Sequence, residues 1–163
     1  MIFEIITRLM IADGNPPRQF EGRRCVGLSH PDYKKRLSLT LGTGNTEMRQ
    51  VTDPMNSAIS CTRANVVFHP ISPTNKLYDF LYKDSRGHFH VFQATVGIKH
   101  SANANAIQKL EVKAGGASKV KFYFLVPSST FPKFFTEPVD PKPHGSFTNI
   151  FHVSIPNPTD EQS

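Results

Sequence analysis

The sequence predicts an α/β fold in which a mixed central β-sheet is flanked by helices. Apolar residues recur at helical spacing over Ile2 to Ala12 and again just before Gly115. Two aromatic and β-branched runs, Leu77 to Lys83 and His88 to Val96, flank a short polar turn. Lys119 to Val126 is an almost continuous apolar run, which is typical of a buried strand. This order of helix, strands, hairpin, helix and strand favours an α/β sandwich.

The first half of the chain opens with the amphipathic helix over Ile2 to Ala12, which a glycine and two prolines end. Arg24 to Leu28 is a weak strand candidate. Leu37 to Leu41 alternates strictly between apolar and polar residues and predicts a half-buried strand. Gly42 to Ser57 holds few apolar residues and is predicted to be a loop. Asn65 to His69 is the next strand candidate.

The second half of the chain carries the clearest patterns. Asp84 to Gly87 is predicted to connect the two strands of a hairpin. Ser101 can cap a helix that runs to about Ala114, where two glycines end it. Phe131 to Phe135 is predicted to form a helical turn, and Asn149 to Ile155 a last strand. No internal repeat is present.

Length and composition fit one folded domain, residues 1–155, followed by a polar tail, 156–163. Only 38% of the residues are hydrophobic and Trp is absent, but thirteen Phe supply large apolar side chains for a core. The formal net charge of +6 favours nucleic acid or another polyanion as a partner. Solubility alone explains the same charge equally well.

The two cysteines, Cys25 and Cys61, lie outside any C-x-x-C motif. One disulfide would be allowed, but two buried free thiols in a reducing compartment are the favoured interpretation. The chain lacks the long apolar run of a transmembrane helix. Glu4 and Arg8 interrupt the apolar start, which therefore predicts a folded helix rather than a signal peptide.

One acidic residue stands out in the predicted hairpin. Asp79 lies inside an aromatic strand, where a carboxylate is costly unless something binds it. Gln93 and Thr95 alternate with apolar neighbours on the second strand and therefore point to one face. Asp79 joins that face if paired residue numbers sum to an even value, as a three- or five-residue turn with a bulge would give. A buried hydrogen-bond network that fixes the core is the structural alternative for Gln93 and Thr95.

Several short runs resemble one known family. These runs are Tyr78 to Phe80, His90 to Thr95, His100, Lys121 to Pro127 and Phe151 to Pro156, with Phe3-Glu4 matching the first helix. They resemble the C-terminal module of Crinkler-type effectors and the matching module of retrotransposon hot spot proteins. The resemblance spans most of the chain, although its motifs are short and degenerate.

The resemblance implies a restriction-endonuclease-like fold downstream of a P-loop NTPase domain in a longer protein. It also implies an effector that is secreted and delivered into a host cell, often to the nucleus. Active members of the wider superfamily hold Mg²⁺ with a strand Asp and a Glu-x-Lys pair, assisted by a helix Glu. Asp79 matches the strand Asp and Glu4 the helix Glu. Gln93 stands in place of the Glu, and Thr95 in place of the Lys.

These replacements leave Asp79 and Gln93 as the expected ligands of Mg²⁺, with one carboxylate fewer than the resemblance requires. A positive charge near the phosphate can return from Lys99 or His100, just beyond the strand. The resemblance therefore implies catalytic residues Asp79, Gln93, Thr95, Glu4, Lys99 and His100, in a site where hydrolysis is weakened or lost.

The predicted function is an effector module that engages nucleic acid, with DNA favoured over RNA, and whose nuclease site is degenerate. Lys99, Lys109 and Lys113 are candidate phosphate contacts, although a solvated basic face explains them equally well. The alternative is a non-catalytic module that binds nucleic acid or a host protein through the same basic face. A third hypothesis is a structural domain that transmits the state of the NTPase.

Individual residues also have structural explanations. Asp79 can bond a neighbouring backbone amide, and Glu4 can form an ordinary surface ion pair with Arg8 one turn later. His88 and His90 have the spacing of paired zinc ligands on a strand, but no third ligand is evident. We therefore expect these two histidines to lie at the surface.

Overall fold

Three α-helices and ten strands make up the described part of the chain, which in this computed structural model comprises residues 2–12, 18–25, 35–44, 47–72, 77–101, 104–137 and 149–156. The helices are α1 (Ile2–Ala12), α2 (Pro54–Ser60) and α3 (Ala104–Ala114). The strands are β1 (Arg18–Arg24), β2 (Leu37–Leu41), β3 (Met48–Val51), β4 (Val67–Pro70), β5 (Phe80–Lys83), β6 (Phe89–Ala94), β7 (Lys99–Ser101), β8 (Val120–Pro127), β9 (Phe135–Glu137) and β10 (Ile150–Ile155).

Eight of these strands form one mixed sheet in the order β2-β1-β10-β8-β6-β5-β4-β3. At its centre β6, β8 and β10 run parallel, and β3 pairs in parallel with β4 at one edge. The other neighbours are antiparallel. β10, the last strand in the described residues, lies between β1 and β8 and joins the β1–β2 ribbon to the rest. β7 and β9 form a separate parallel pair.

Side-chain alternation gives each face of the sheet its own apolar core. The first face is covered by α2 and α3, and its core includes Met55, Ala58, Phe68, Leu81, Val91, Ile107, Leu110, Phe122, Phe124 and Phe134. The second face is covered by α1, and its core includes Ile11, Ala12, Phe20, Val67, Phe80, Tyr82, Phe92, Tyr123, Leu125 and Phe151. Phenylalanines fill the middle of both layers, as the composition predicts.

The predicted α/β class with a mixed central sheet flanked by helices is confirmed. The hairpin also forms as predicted: Asp84 N donates to His88 O at 2.9 Å, which closes a three-residue turn. Gly87 has φ of 82° in that turn, a conformation that glycine adopts without strain.

The prediction of a loop over Gly42 to Ser57 is wrong, because β3 and most of α2 lie there. The α2 helix is too short to show helical periodicity in the sequence. It begins instead through local chemistry: the Asp53 side chain accepts from Asn56 N, and Pro54 occupies the first turn. β3 is an exposed edge strand whose polar residues carry little apolar signal.

Two predicted element starts need correction. β1 spans Arg18–Arg24 rather than Arg24 to Leu28, of which residues 26–28 lie outside the described part. β1 is mostly polar because only a few of its residues are buried in contacts with its neighbouring strands. Ser101 ends β7 instead of capping a helix, and α3 begins at Ala104. Phe131 lies in a turn, where its N donates to Pro127 O at 3.0 Å.

Both cysteines are free thiols, as expected, with Cys25 buried and Cys61 half-buried. None of the helices in the described residues has the length and apolar character needed to cross a membrane. The polar tail falls almost wholly outside the described residues, so the proposed boundary at 155 stays a prediction.

Candidate functional site

Three of the predicted site residues, Asp79, Gln93 and Thr95, lie at the carboxyl ends of the parallel strands β6 and β8. Asp79 immediately precedes β5, and its backbone N donates to Phe92 O at 2.8 Å. Its Oδ2 accepts from Ala94 N at 2.7 Å, at the last residue of β6. Strand carboxyl ends are where α/β sheets commonly bind ligands. The geometry therefore puts this carboxylate beside Gln93 at the end of the hairpin.

A β-bulge sets the position of Asp79. Phe80 pairs with Phe92, so the hairpin meets the even-sum condition for pairing. Both Asp79 and Phe80 stand opposite Phe92, however, and the residues on either side of them, Tyr78 and Leu81, both belong to the first-face core. The bulge takes Asp79 out of strict alternation, so its face does not follow from that of Gln93. That the two side chains share a face stays a prediction.

Asp79 is half-buried in a mixed electrostatic environment. Burial raises its pKa, the hydrogen bond from Ala94 N lowers it, the charge of Glu4 raises it and the charge of His100 lowers it. Glu4 comes from α1 on the second face, while the His100 ring lies 5.3 Å from that of Phe124 on the first. Three predicted residues thus converge at the strand ends, from both sides of the sheet.

The two residues that replace the charged pair of the motif are neutral and partly engaged. Gln93 is half-buried on β6 and pairs in register with Phe124 of β8. Thr95 N donates to Leu125 O at 3.0 Å, and Thr95 Oγ1 accepts from Gly97 N at 3.3 Å. Thr95 therefore helps to turn the chain away from β6, a role consistent with the structural alternative.

Glu4 forms the ion pair that its spacing allows. Arg8 Nη1 donates to Glu4 Oε1 at 3.3 Å, with both side chains about four-fifths buried, as their relative exposures of 17% and 20% show. Glu4 therefore combines the structural role with its place near Asp79. The pair lies against the sheet instead of in bulk water.

The three candidate phosphate contacts are all exposed lysines. Lys109 and Lys113 are one turn apart on α3, on the side away from the buried Ile107 and Leu110. Lys99 lies on β7, next to His100. Exposed cations of this kind can contact a polyanion, and they equally suit a solvated surface.

The donors near Asp79 form a weak set for Mg²⁺. Within the described ranges, no three His, Cys, Asp or Glu side chains are grouped so that they could hold a metal ion. One oxygen of Asp79 accepts from Ala94 N, Glu4 is paired with Arg8, and Gln93 offers a neutral amide oxygen. Mg²⁺ prefers ionised carboxylates, so these residues fit the ion poorly.

A second polar cluster lies at the turn end of the same hairpin, and the sequence analysis missed it. His90 Nε2 lies 2.8 Å from Asp84 Oδ2, and His90 Nδ1 lies 2.9 Å from Tyr123 Oη. Asp84 Oδ1 also accepts from Arg86 N and His88 N. His90 is buried, so the expectation of two surface histidines is wrong for this residue; His88 is half-buried.

Electrostatics fix the proton positions in this Asp84 cluster. Burial acts to raise the pKa of Asp84, but the hydrogen bond from His90 and those from the turn outweigh it and hold the pKa far below its usual range. Burial lowers the pKa of His90. Neutral His90 therefore donates from Nε2 to ionised Asp84 and accepts at Nδ1 from the Tyr123 hydroxyl. The alternation of Tyr82, His90 and Phe92 on one face was the signal available in the sequence.

No protein-family model, curated protein or solved structure matches this chain. The family resemblance therefore rests on the motifs of the sequence alone.

Proposed function

We propose that this domain is an effector module with a restriction-endonuclease-like fold that engages nucleic acid, and that its metal-dependent hydrolysis is weak or lost. The observation that carries the proposal is the half-buried Asp79 at the strand ends, with Glu4 and His100 close enough to shift its pKa. A carboxylate kept at a partly desolvated strand end is a feature of functional sites. The backbone bond from Asp79 N to Phe92 O keeps this carboxylate at the end of the hairpin.

The weakness of the site follows from its charges. Gln93 removes the carboxylate that would share a cation with Asp79, and Thr95 removes the cation that would steady a water nucleophile. Partly exposed charges about 4 Å apart interact by roughly 4 kcal/mol, so each loss is large on the scale of catalysis. Mg²⁺ would supply a Lewis acid and an activated water if it bound. With the present side chains, Asp79 can orient a ligand but lacks partners for holding the ion.

Nucleic acid binding would draw on the basic surface. Lys99 is next to His100 at the strand ends, and Lys109 and Lys113 extend positive charge along α3. The net charge of +6 acts in the same direction. DNA is the favoured target, in keeping with the nuclear destination and the upstream NTPase that the family resemblance implies.

The second candidate function is a non-catalytic module that binds nucleic acid or a host protein through the same basic face. Two hydrogen bonds favour this non-catalytic function: Asp79 Oδ2 accepts from Ala94 N, and Thr95 Oγ1 accepts from Gly97 N. Both motif residues thereby bind the backbone and have a structural role. The two candidates differ in chemistry and share their binding surface.

Binding is tested by the salt dependence of affinity for a short DNA duplex. Each phosphate contact releases about 0.9 counterion, so the log-log slope approximates the number of contacts. Reversing charge at both Lys109 and Lys113 to Glu should reduce the slope by about two. Lys35→Glu, an exposed position before the edge strand β2, is the matched control and should change the slope less. A slope near zero in the unaltered chain would remove nucleic acid as the partner.

Hydrolysis is tested by restoring the motif. Gln93→Glu combined with Thr95→Lys should raise Mg²⁺-dependent cleavage of DNA by about 100-fold, because it returns both charges. The same pair of changes in an Asp79→Ala background is the control and should show no gain. Strong metal-dependent cleavage by the unaltered chain, abolished by Asp79→Ala, would contradict the loss of activity. Cleavage that persists in Asp79→Ala would put the chemistry elsewhere.

A further inference from the structure

The two edge strands of the eight-stranded sheet differ in how their outer edges are protected. In the described part of the chain, β2 ends the sheet on one side and β3 ends it on the other. An edge strand presents backbone N–H and C=O groups to any further strand, and proteins commonly block such edges with charged residues, prolines or bulges. The residues at each edge therefore indicate whether it is available for pairing.

The β3 edge carries a cluster of charges. Arg49 lies within β3 and pairs with Glu47 at 2.8 Å, and Glu47 also pairs with Arg63. These side chains are well hydrated, because the exposures of the two arginines are 46% and 62%. A strand that added to β3 would have to remove water from these charges, so this edge is protected.

The β2 edge has no such protection within the strand itself. Its five residues, Leu37 to Leu41, include neither a charge nor a proline. They pair with β1 at five consecutive positions without a bulge. Ser38 and Thr40 are exposed, and Leu37 and Leu39 pack only partly against the second-face core. The strand is therefore regular, uncharged and incompletely covered.

The residues of β2 are self-complementary, because the strand reads nearly the same in both directions. In an antiparallel pair centred on Leu39, this leucine would stand opposite its own copy. Leu37 would then face Leu41 of the second copy, and Ser38 would face Thr40. Residues that stand opposite each other lie on the same face, so leucines would contact leucines and hydroxyls would contact hydroxyls. A closed dimer requires such a match of one surface with itself.

The charges beside β2 are compatible with this arrangement. Arg36, which directly precedes β2, would stand opposite Gly42 of the second copy. The two Arg36 residues would then lie roughly 20 Å apart, at opposite ends of the paired strands. Arg36 Nη1 also pairs with Glu21 Oε1 of β1 at 3.1 Å. The net charge of +6 on each copy adds a long-range repulsion, which salt screens.

We propose that β2 pairs with β2 of a second copy of this chain, so that two sheets join into one continuous sheet around a two-fold axis at Leu39. The inference does not depend on the proposed function, because β1, β10 and β8 separate β2 from β6 and the candidate site. A junction of two five-residue strands buries less than the roughly 1,600 Å² of a standard interface. The dimer is therefore weak, and its population depends on protein concentration.

Sedimentation velocity over a range of protein concentrations, from about 5 to 500 µM, measures the dimer directly. The monomer should give way to a dimer as the concentration rises. Added salt should strengthen the dimer because it screens the repulsion between two basic copies. This is the opposite of its expected effect on DNA binding, so the two associations are distinguishable.

Two double variants at the exposed positions of β2 test the register. Ser38→Lys with Thr40→Lys puts lysine opposite lysine at two positions and should weaken dimerisation about tenfold or more. Ser38→Lys with Thr40→Glu puts lysine opposite glutamate at the same positions and should restore dimerisation to within about threefold of the unaltered chain. Gln50→Lys with Ser60→Lys adds two charges at exposed positions of β3 and α2. It is the control for net charge and should have little effect.

Hydrogen exchange gives a second readout that locates the interface. Backbone amides of β2 should exchange more slowly at high protein concentration than at low concentration, and those of β3 should not. Urea denaturation should show that all the variants keep their fold, since the altered side chains are exposed.

Three results would overturn the dimer. The first is a chain that stays monomeric up to about 1 mM, which would leave the β2 edge to a strand of another protein. The second is a loss of dimer in the lysine–lysine variant no larger than that in the β3 and α2 control. The third is a lysine–glutamate variant that dimerises as poorly as the lysine–lysine variant, because the strands would then be paired in another register or through another surface.

Discussion

Two aspartates at opposite ends of one hairpin have opposite electrostatic characters. Asp84, at the turn, accepts from His90 and from two backbone amides, and its pKa lies far below the usual range. Asp79, at the other end, accepts from Ala94 N, and burial together with Glu4 raises its pKa. The same residue type thus accepts bonds from several donors of the turn and β6 at one end, and from the backbone N of Ala94 at the other.

The difference fits a structural role for Asp84 and the functional role proposed for Asp79. Asp84 gains stability from being ionised, because every donor around it is fixed by the turn and by β6. Asp79 is held near another carboxylate with few donors, which a protein tolerates where a ligand completes the site. The pKa of a carboxylate therefore depends little on which strands carry it. It depends strongly on the hydrogen-bond donors around it.

The sharpest test compares Asp84→Ala with Asp79→Ala. Asp84→Ala should lower the free energy of unfolding by about 3 kcal/mol, because it leaves the buried His90 donor unpaired and removes the acceptor of two turn amides. Asp79→Ala should change it by less than about 1 kcal/mol, because the lost bond to Ala94 is offset by the removal of a partly buried charge. Urea denaturation at pH 7 measures both.

Asp84→Asn is the matched control, since it keeps one oxygen for the backbone amides and should lose less stability than Asp84→Ala. A loss for Asp79→Ala as large as that for Asp84→Ala would make both carboxylates structural. The distinction between the two ends of the hairpin would then disappear.

Acid should weaken the fold through two buried histidines, His90 of the hairpin and His152 of β10. Burial lowers the pKa of His90 below 6.5 and that of His152, which Arg23 also repels, to about 3. The fold disfavours the protonated form of both histidines. Their contribution to the free energy of unfolding is therefore complete above pH 6.5 and declines as the pH falls. Between pH 7 and pH 5.5 the free energy of unfolding should drop by about 1 to 2 kcal/mol.

Urea denaturation across this pH range, with His152→Gln as the comparison, measures the effect. The variant should show a shallower decline, because Gln cannot take up the proton. Asp79 acts with the opposite sign: its pKa is raised in the fold, so the fold gains stability as the pH falls through that raised pKa towards 3.8, below which the effect is constant. Equal stability at pH 7 and pH 5.5 would mean that the buried histidines are protonated without cost.

The secondary structure was predicted best for elements whose own residues show a strong hydrophobic periodicity. The α1 boundaries, the Leu37–Leu41 strand and the hairpin were all found, because apolar spacing and turn residues are local signals. α2 was missed because it begins at a single capping side chain and is too short to show helical periodicity. β7 was missed because a strand of three residues shows no alternation. Elements that are stabilised mainly by contacts with neighbouring elements have little recognisable pattern in their own sequence.

The candidate site divides in the same way. Asp79 was identified because a charge inside an aromatic strand is unusual, and the strand pairing agreed with the parity argument. The bulge at Asp79 could not be anticipated, because it depends on both Asp79 and Phe80 standing opposite Phe92 on the other strand. The buried His90 was misjudged because its partner Tyr123 comes from β8, 33 residues away along the chain.

The position of β10 has a consequence for how the molecule acquires its fold. The β1–β2 ribbon contacts the rest of the sheet through β10, which pairs with β1 on one side and with β8 on the other. One edge of β1, near residue 20, is therefore unpaired until β10, near residue 150, has been synthesised and has paired with it. Such distant pairings close slowly, and until then the edges of β1 and β8 are open to pairing with other chains. During synthesis these edges are therefore open to aggregation until β10 inserts between β1 and β8.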